Sequence, residues 1–178
     1  MSAKKPAILI VDDEPDVLFS LTGLLRREFQ VYTANSGAAA LEIMGEHPVD
    51  VIMTDQRMPS MTGTELMSRV KMEHPRAVRI VFTGYADTRA VIDAINSGEL
   101  YRYITKPWDP EDLIEVLREA AKKHDELAAQ EALACELPGL LDDAERLVGE
   151  STQLDEEWAQ GLRLRIEHFR RLLERLDT

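Results

Sequence analysis

The chain of 178 residues has a single cysteine, Cys135. One thiol excludes an intramolecular disulfide and suits a reducing, cytoplasmic setting. Cys135 itself reads as a small hydrophobe. No apolar run approaches the roughly 20 residues that a membrane helix needs. The run behind Lys4 and Lys5 stops at Val11 and meets acids, which is too short for a signal-peptide core. Basic residues are scarce: 21 Lys and Arg face 33 Asp and Glu, a net charge of −12. That balance argues against nucleic acid as a direct partner. No Gly/Ser- or Pro-rich linker and no repeat of fixed period is visible. His47, His74 and His124 are scattered without metal-ligand spacing, and His168 reads as a solvated helix residue.

What is present suffices for a core, since 44% of the residues are apolar. The charge is uneven. Residues 1–124 carry 19 acids against 15 bases, and residues 125–178 carry 14 against 6. This divides the chain into a domain over 1–124 and an acidic helical tail over 125–178.

Within the first part, short apolar runs alternate with amphipathic stretches. Ala7–Val11 reads as a strand, and Pro15 opens a helix with Val17, Leu18, Leu21, Leu24 and Leu25 at helical spacing. Phe29–Ala34 is a second strand, and Ser36 can cap a second helix. Residues 49–54 form a third strand. Thr62-Gly63-Thr64-Glu65 has the spacing of a capping box. Val78–Phe82 is a fourth strand, and Asp87 can cap a fourth helix that Gly98 stops. Tyr101–Thr105 is a fifth strand, and Asp109-Pro110-Glu111-Asp112 opens a fifth helix. The alternation implies βαβ units and an α/β fold: a doubly wound, flavodoxin-like five-stranded parallel sheet in the order 2-1-3-4-5, with a C-terminal α-helical extension.

The carboxyl ends of parallel strands share one edge. Asp12 and Asp13 follow the first strand, Asp55 the third, Thr83 the fourth and Lys106 the fifth. Clustered carboxylates repel, so they need a cation or a proton. Mg²⁺ suits such a set, being content with a few carboxylates, waters and a phosphoryl oxygen. One carboxylate can then attack phosphorus, while an ammonium and a hydroxyl steady the phosphoryl oxygens. The chemistry is that of a phosphoaspartate site.

Four motifs carry a resemblance: Val-Asp-Asp-Glu-Pro (11–15), Thr-Asp-Gln-Arg-Met-Pro (54–59), Thr-Gly-Tyr (83–85) and Tyr-Arg-Tyr-Ile-Thr-Lys-Pro-Trp (101–108). Each follows or ends a predicted strand. Over residues 5–124 the chain resembles the receiver domains of bacterial two-component response regulators. The wording is similar to receivers attached to cyclic-di-GMP phosphodiesterases or to ATPase-type transcription activators. Neither output is present in the sequence, which shows no Walker A pattern, no paired His-Asp motif and no GxGxxG.

The resemblance implies roles at matching positions. Asp55 would accept a phosphoryl group from a sensor histidine kinase. Asp13, Asp55 and the main-chain carbonyl of Arg57 would bind Mg²⁺ directly, and Asp12 through water. Thr83 would move to meet the phosphoryl group, Lys106 would pair with it, and Tyr103 would be the switch aromatic. The Lys106–Pro107 bond matches one that is often cis.

In the tail, Pro138-Gly139 should break the helix begun at Asp109, and Gly149–Thr152 should break it again. Residues 153–177 then read as one helix, with Ala159, Leu162, Ile166, Phe169, Leu173 and Leu176 spaced as a heptad seam. We expect the seam to serve a partner or a second copy, ahead of folding back onto the receiver or onto residues 125–148. A homodimer would use it together with the face made by the fourth helix, fifth strand and fifth helix.

The function expected is a phosphorylation-dependent switch of protein–protein interactions, with self-phosphorylation and slow self-dephosphorylation but no separate substrate. One alternative is an aspartyl-phosphate phosphatase. Such enzymes use an acid two residues beyond the nucleophile, and here that position holds Arg57. The other is a scaffold with an idle site that acts through its helical tail.

Overall fold

The computed structural model describes residues 5–84, 98, 100–150 and 156–174. The helix expected to open at Asp87, and Tyr85, lie outside these residues. The chain divides into two compact units, Met1–Asp125 and Glu126–Thr178.

In the first unit five parallel strands form one sheet: β1 (Ala7–Val11), β2 (Gln30–Ala34), β3 (Val51–Asp55), β4 (Val78–Thr83) and β5 (Arg102–Thr105). Their order is β2-β1-β3-β4-β5, as expected. Every residue of β1 is buried. This is the signature of a strand covered on both faces.

Side chains alternate across a strand, so each central strand feeds two cores. Leu9, Ile52 and Val81 point to one side and pack with Ala40 and Met44 of helix α2 (Gly37–Glu46) and with Leu66, Met67 and Val70 of helix α3 (Gly63–Glu73). Ile8, Ile10, Met53, Ile80 and Phe82 point to the other. They meet Leu21 and Leu25 of helix α1 (Pro15–Leu25), and Leu113 and Leu117 of helix α4 (Pro110–Glu150). Each such side chain contributes roughly 1.5–3 kcal/mol by leaving water.

The helix starts follow local chemistry. Pro15 stands at the start of α1. The Ser36 hydroxyl accepts from the Ala39 N–H at the head of α2. Thr62 and Glu65 form the capping box of α3. Asp109 Oδ1 accepts from the backbone N–H groups of Glu111 and Asp112 at the head of α4.

The tail departs from expectation at two points. α4 passes through Pro138 without a break and ends at Glu150. The carbonyl that loses its N–H partner is that of Ala134, four residues back, which is only half-buried, and Pro138, Gly139 and Leu140 are exposed, so water can reach the gap. The second difference concerns the seam. Helix α5 (Glu156–Glu174) lies along α4, with Arg170 paired to Asp142 and Glu145. Ile166 is only 3% exposed, and Leu141 and Val148 of α4 are also buried. Ile166 therefore serves the interior of the tail instead of a partner. A neighbouring helix of the same chain is covered without the translational entropy that a second molecule must lose.

Candidate functional site

The carboxyl edge of the sheet collects the polar groups of the first unit. Asp12 lies just past β1, Asp55 ends β3, Thr83 ends β4 and Lys106 follows β5. Asp12 and Thr83 are fully buried, Asp55 is half-buried, and Asp13 is exposed.

Asp55 is held from two sides. Its Oδ1 accepts a hydrogen bond from the Lys106 ammonium. Its Oδ2 accepts from the backbone N–H of Arg57 at 2.6 Å. Lys106 also pairs with Asp12 Oδ2 at 3.6 Å. Burial disfavours the charged ammonium, but the hydrogen bond to Asp55 and the charges of Asp55 and Asp12 outweigh it, so the Lys106 pKa is raised. Burial pushes the Asp12 carboxyl above the ordinary range. The hydrogen bond from the Glu14 N–H at 2.9 Å and the charge of Lys106 oppose that shift without cancelling it.

The Asp12 Oδ2 atom has no hydrogen-bond partner among the described residues. Lys106 lies 3.6 Å away, an ion pair beyond hydrogen-bond distance, and a buried carboxylate oxygen in this state can still take a metal cation. Among the described residues no cluster of three or more His, Cys, Asp or Glu side chains is assembled as a cage. Mg²⁺ does not need one, since it binds through one or two carboxylates and keeps several waters. Asp12 and Asp55 fit it in that sense, with Asp13 adjacent.

Two residues not anticipated from the sequence complete the site. The first is Gln56, which is buried. Its side chain donates to Thr64 Oγ1 at 3.2 Å and accepts from the Thr64 N–H at 3.1 Å. Its backbone N–H donates to the Phe82 carbonyl, and its carbonyl accepts from Gly63. The loop after Asp55 is thereby tied to β4 and to the head of α3. Gly63 is required there, because a Cβ at that position would collide with the Asp55 carbonyl oxygen. The second is Trp108. Its ring stacks on Phe82 with centroids 4.6 Å apart. The Lys106 ammonium lies 5.8 Å from both ring centroids, within cation–π range. A polar residue after a buried strand and an aromatic after Lys-Pro are the only traces that either leaves in the sequence.

Thr83 donates its hydroxyl hydrogen to the Gly84 carbonyl at 2.9 Å. Tyr103 is half-buried and packs against the core cluster that includes Leu9, Val81 and Leu100. The Lys106–Pro107 peptide bond is cis. Arg57 is exposed beside Asp55.

Residues 8–118 match the family model described as the response regulator receiver domain. The chain is 41% identical over 122 residues to the hydrogenase transcriptional regulatory protein HoxA of Cupriavidus necator, covering 68% of this chain and 25% of that protein. Among solved structures, one described as adenylate cyclase from Rhodopirellula baltica matches with a TM-score of 0.70 and 34% identity, covering 72% of this chain and 96% of that one. A response regulator receiver domain protein from Clostridium thermocellum matches with a TM-score of 0.65 and 30% identity, covering 68% and 98%. The chain spans about a quarter of the length of the HoxA relatives that it matches. With its sheet order, its edge of acids and Lys106, and a family match over 8–118, the chain belongs to the response regulator receiver domain family.

Proposed function

We propose that Asp55 is the phosphoacceptor of a switch that a sensor histidine kinase sets. The observation that carries this reading is the Lys106–Asp55 hydrogen bond, with buried Asp12 beside it at the same strand edge. The Arg57 N–H and the Lys106 ammonium hold the Asp55 carboxylate in one orientation. A carboxylate oxygen attacks phosphorus of the phosphohistidine, the P–N bond breaks, and the imidazole leaves with the electron pair. Mg²⁺, held by Asp13, Asp55 and the Arg57 carbonyl and through water by Asp12, would supply charge neutralisation at the phosphoryl oxygens. Lys106 then pairs with a phosphoryl oxygen, and the Thr83 hydroxyl turns from Gly84 to another. Loss of the Lys106–Asp55 bond and movement of Thr83 free Tyr103 to repack, which alters the surface around β5.

In this reading the protein is no enzyme acting on a separate substrate. Arg57 stands where an aspartyl-phosphate phosphatase places its acid, and a guanidinium does not donate a proton there. The setting is cytoplasmic, where a kinase and Mg²⁺ are at hand. No described helix is long and apolar enough to cross a membrane. The output is a change of protein partner, and the tail over 125–178 serves association.

Mixing the protein with a small phosphodonor and Mg²⁺ tests this. A stable gain of one phosphoryl group, mapped to the peptide containing Asp55, supports the switch. Steady release of phosphate favours a phosphatase, and no reaction favours an idle-site scaffold.

A further inference from the structure

The second unit is a pair of helices with one apolar face left in water. Buried Leu141 and Val148 of α4 mark the side turned to α5. Leu133, Leu140 and Leu147 stand seven residues apart and so fall on one line of α4. That line lies about 100° round from Leu141 and Val148, since each residue turns an α-helix by about that angle. The three leucines are 59%, 63% and 63% exposed. Half-buried Leu137 and Ala144 interleave with them, giving spacings of 4, 3, 4 and 3 from Leu133 to Leu147. These positions form a heptad seam on α4, separate from the one over residues 153–177.

α5 adds to the same face. Phe169 follows buried Ile166 by three residues and is 46% exposed. The connection over residues 151–155 is too short for anything but an antiparallel pair. In such a pair, a rotation of Phe169 back from Ile166 and a rotation of Leu140 back from Leu141 lead to the same side of the hairpin. The ion pairs of Arg170 with Asp142 and Glu145 hold this part of α5 alongside α4. Phe169 therefore lies on the same face of the hairpin as Leu140.

We propose that this face binds the same face of a second copy, closing two hairpins into a four-helix bundle. The inference rests on the reading of the tail as an association device and is independent of the chemistry at Asp55. Three observations favour a second copy. The first is fit. A two-fold axis parallel to the helices sets α4 of one copy against α5 of the other at equal height. Each Phe169 is then set against the exposed leucine face of the partner copy's α4. The second is charge. Residues 126–150 carry seven acids and one base, whereas residues 156–174 carry four of each. Setting α4 against the partner's α5 avoids facing two acidic helices. The third is area. The three leucines and Phe169 leave on the order of 400 Å² of apolar surface per chain, the size of patch that marks an interaction site. Two copies would bury roughly 800 Å² of apolar surface, which at two-thirds apolar is an interface of about 1,200 Å², enough for a specific dimer.

Sedimentation of the full chain decides it, with helicity followed by circular dichroism. The wild-type protein and Asp55→Asn should both sediment as dimers without any phosphodonor. Leu140→Glu with Leu147→Glu should weaken association at least a hundredfold and keep the helical signal, because both sites are exposed in the monomer. Phe169→Ala should weaken it at least tenfold. A wild-type monomer at high concentration would overturn the proposal. So would a dimer that the leucine pair does not disrupt, since the contact would then lie elsewhere. Neither result bears on whether Asp55 takes a phosphoryl group, which labelling of the same samples reads separately.

Discussion

The Lys106 ammonium is hydrogen-bonded to Asp55 Oδ1, although β4 lies between the strands that carry them. Adjacent strands are about 4.8 Å apart, so the link spans roughly 10 Å of sheet edge. A long side chain at the end of β5 can make it, and a short one could not. Bare attraction at this kind of half-exposed site is about 4 kcal/mol at an effective dielectric near 20, before desolvation is subtracted. Lys106 is thus both the counter-ion of Asp55 and a competitor for any cation that binds there.

Replacing Lys106 with Ala removes that competitor. Mg²⁺ binding should persist, with an affinity at least equal to wild type. The response to phosphorylation should be lost, because the group that pairs with the phosphoryl oxygen is gone. The stack of Trp108 on Phe82 beside Lys106 offers a fluorescence readout. A phosphorylation-linked change as large as in wild type would count against the role given to Lys106.

Asp12 carries a pH prediction. Its folded pKa is raised above the ordinary carboxylate range, chiefly by burial. The folded state then holds the proton more tightly than the unfolded chain, so ionised Asp12 is a cost to folding. That cost is full above the folded pKa and is relieved as pH falls from there toward the ordinary carboxylate range. Asp12→Asn should therefore raise the melting temperature at pH 7 in the absence of Mg²⁺, and the advantage should shrink as the solution is acidified. An Asn variant less stable than wild type at neutral pH would contradict this sign.

The clamp after Asp55 should matter for stability. Gln56→Ala removes two hydrogen bonds to Thr64 and should cost about 1–3 kcal/mol in urea unfolding. Gly63→Ala should cost at least as much, because its Cβ meets backbone that cannot move aside cheaply. If either variant matched wild type within about 0.5 kcal/mol, the loop would not be held as described.

Pro138 is the opposite case. A proline inside a helix is less favourable than alanine by about 3 kcal/mol. Pro138→Ala should stabilise the tail by up to that amount, read as a rise in the unfolding midpoint of its helical signal. A loss of stability would show that the ring is needed.

Most of the receiver fold is legible in the sequence because its signals are local. Five apolar runs, Pro15, Ser36, the Thr62–Glu65 box and Asp109 each act within a few residues. Asp12, Asp55, Thr83 and Lys106 are legible because strand ends in a parallel sheet must share an edge. Gln56 was not, since its partner Thr64 is eight residues away and the bond depends on how α3 is seated. The tail was harder still. A heptad spacing says that a face is apolar and not what covers it. Ile166 and Phe169 sit on the same seam, yet one is buried and the other is left exposed. Pro138 does not end the helix because the residues on both sides of it keep α4 helical in spite of a cost of about 3 kcal/mol.

The most direct test of the central claim compares wild type with Asp55→Asn in a small phosphodonor and Mg²⁺, following intact mass over time. The account predicts one phosphoryl group on the wild-type chain and none on the variant, with both equally folded by circular dichroism. Uptake of one phosphoryl group by Asp55→Asn at the wild-type rate would contradict it.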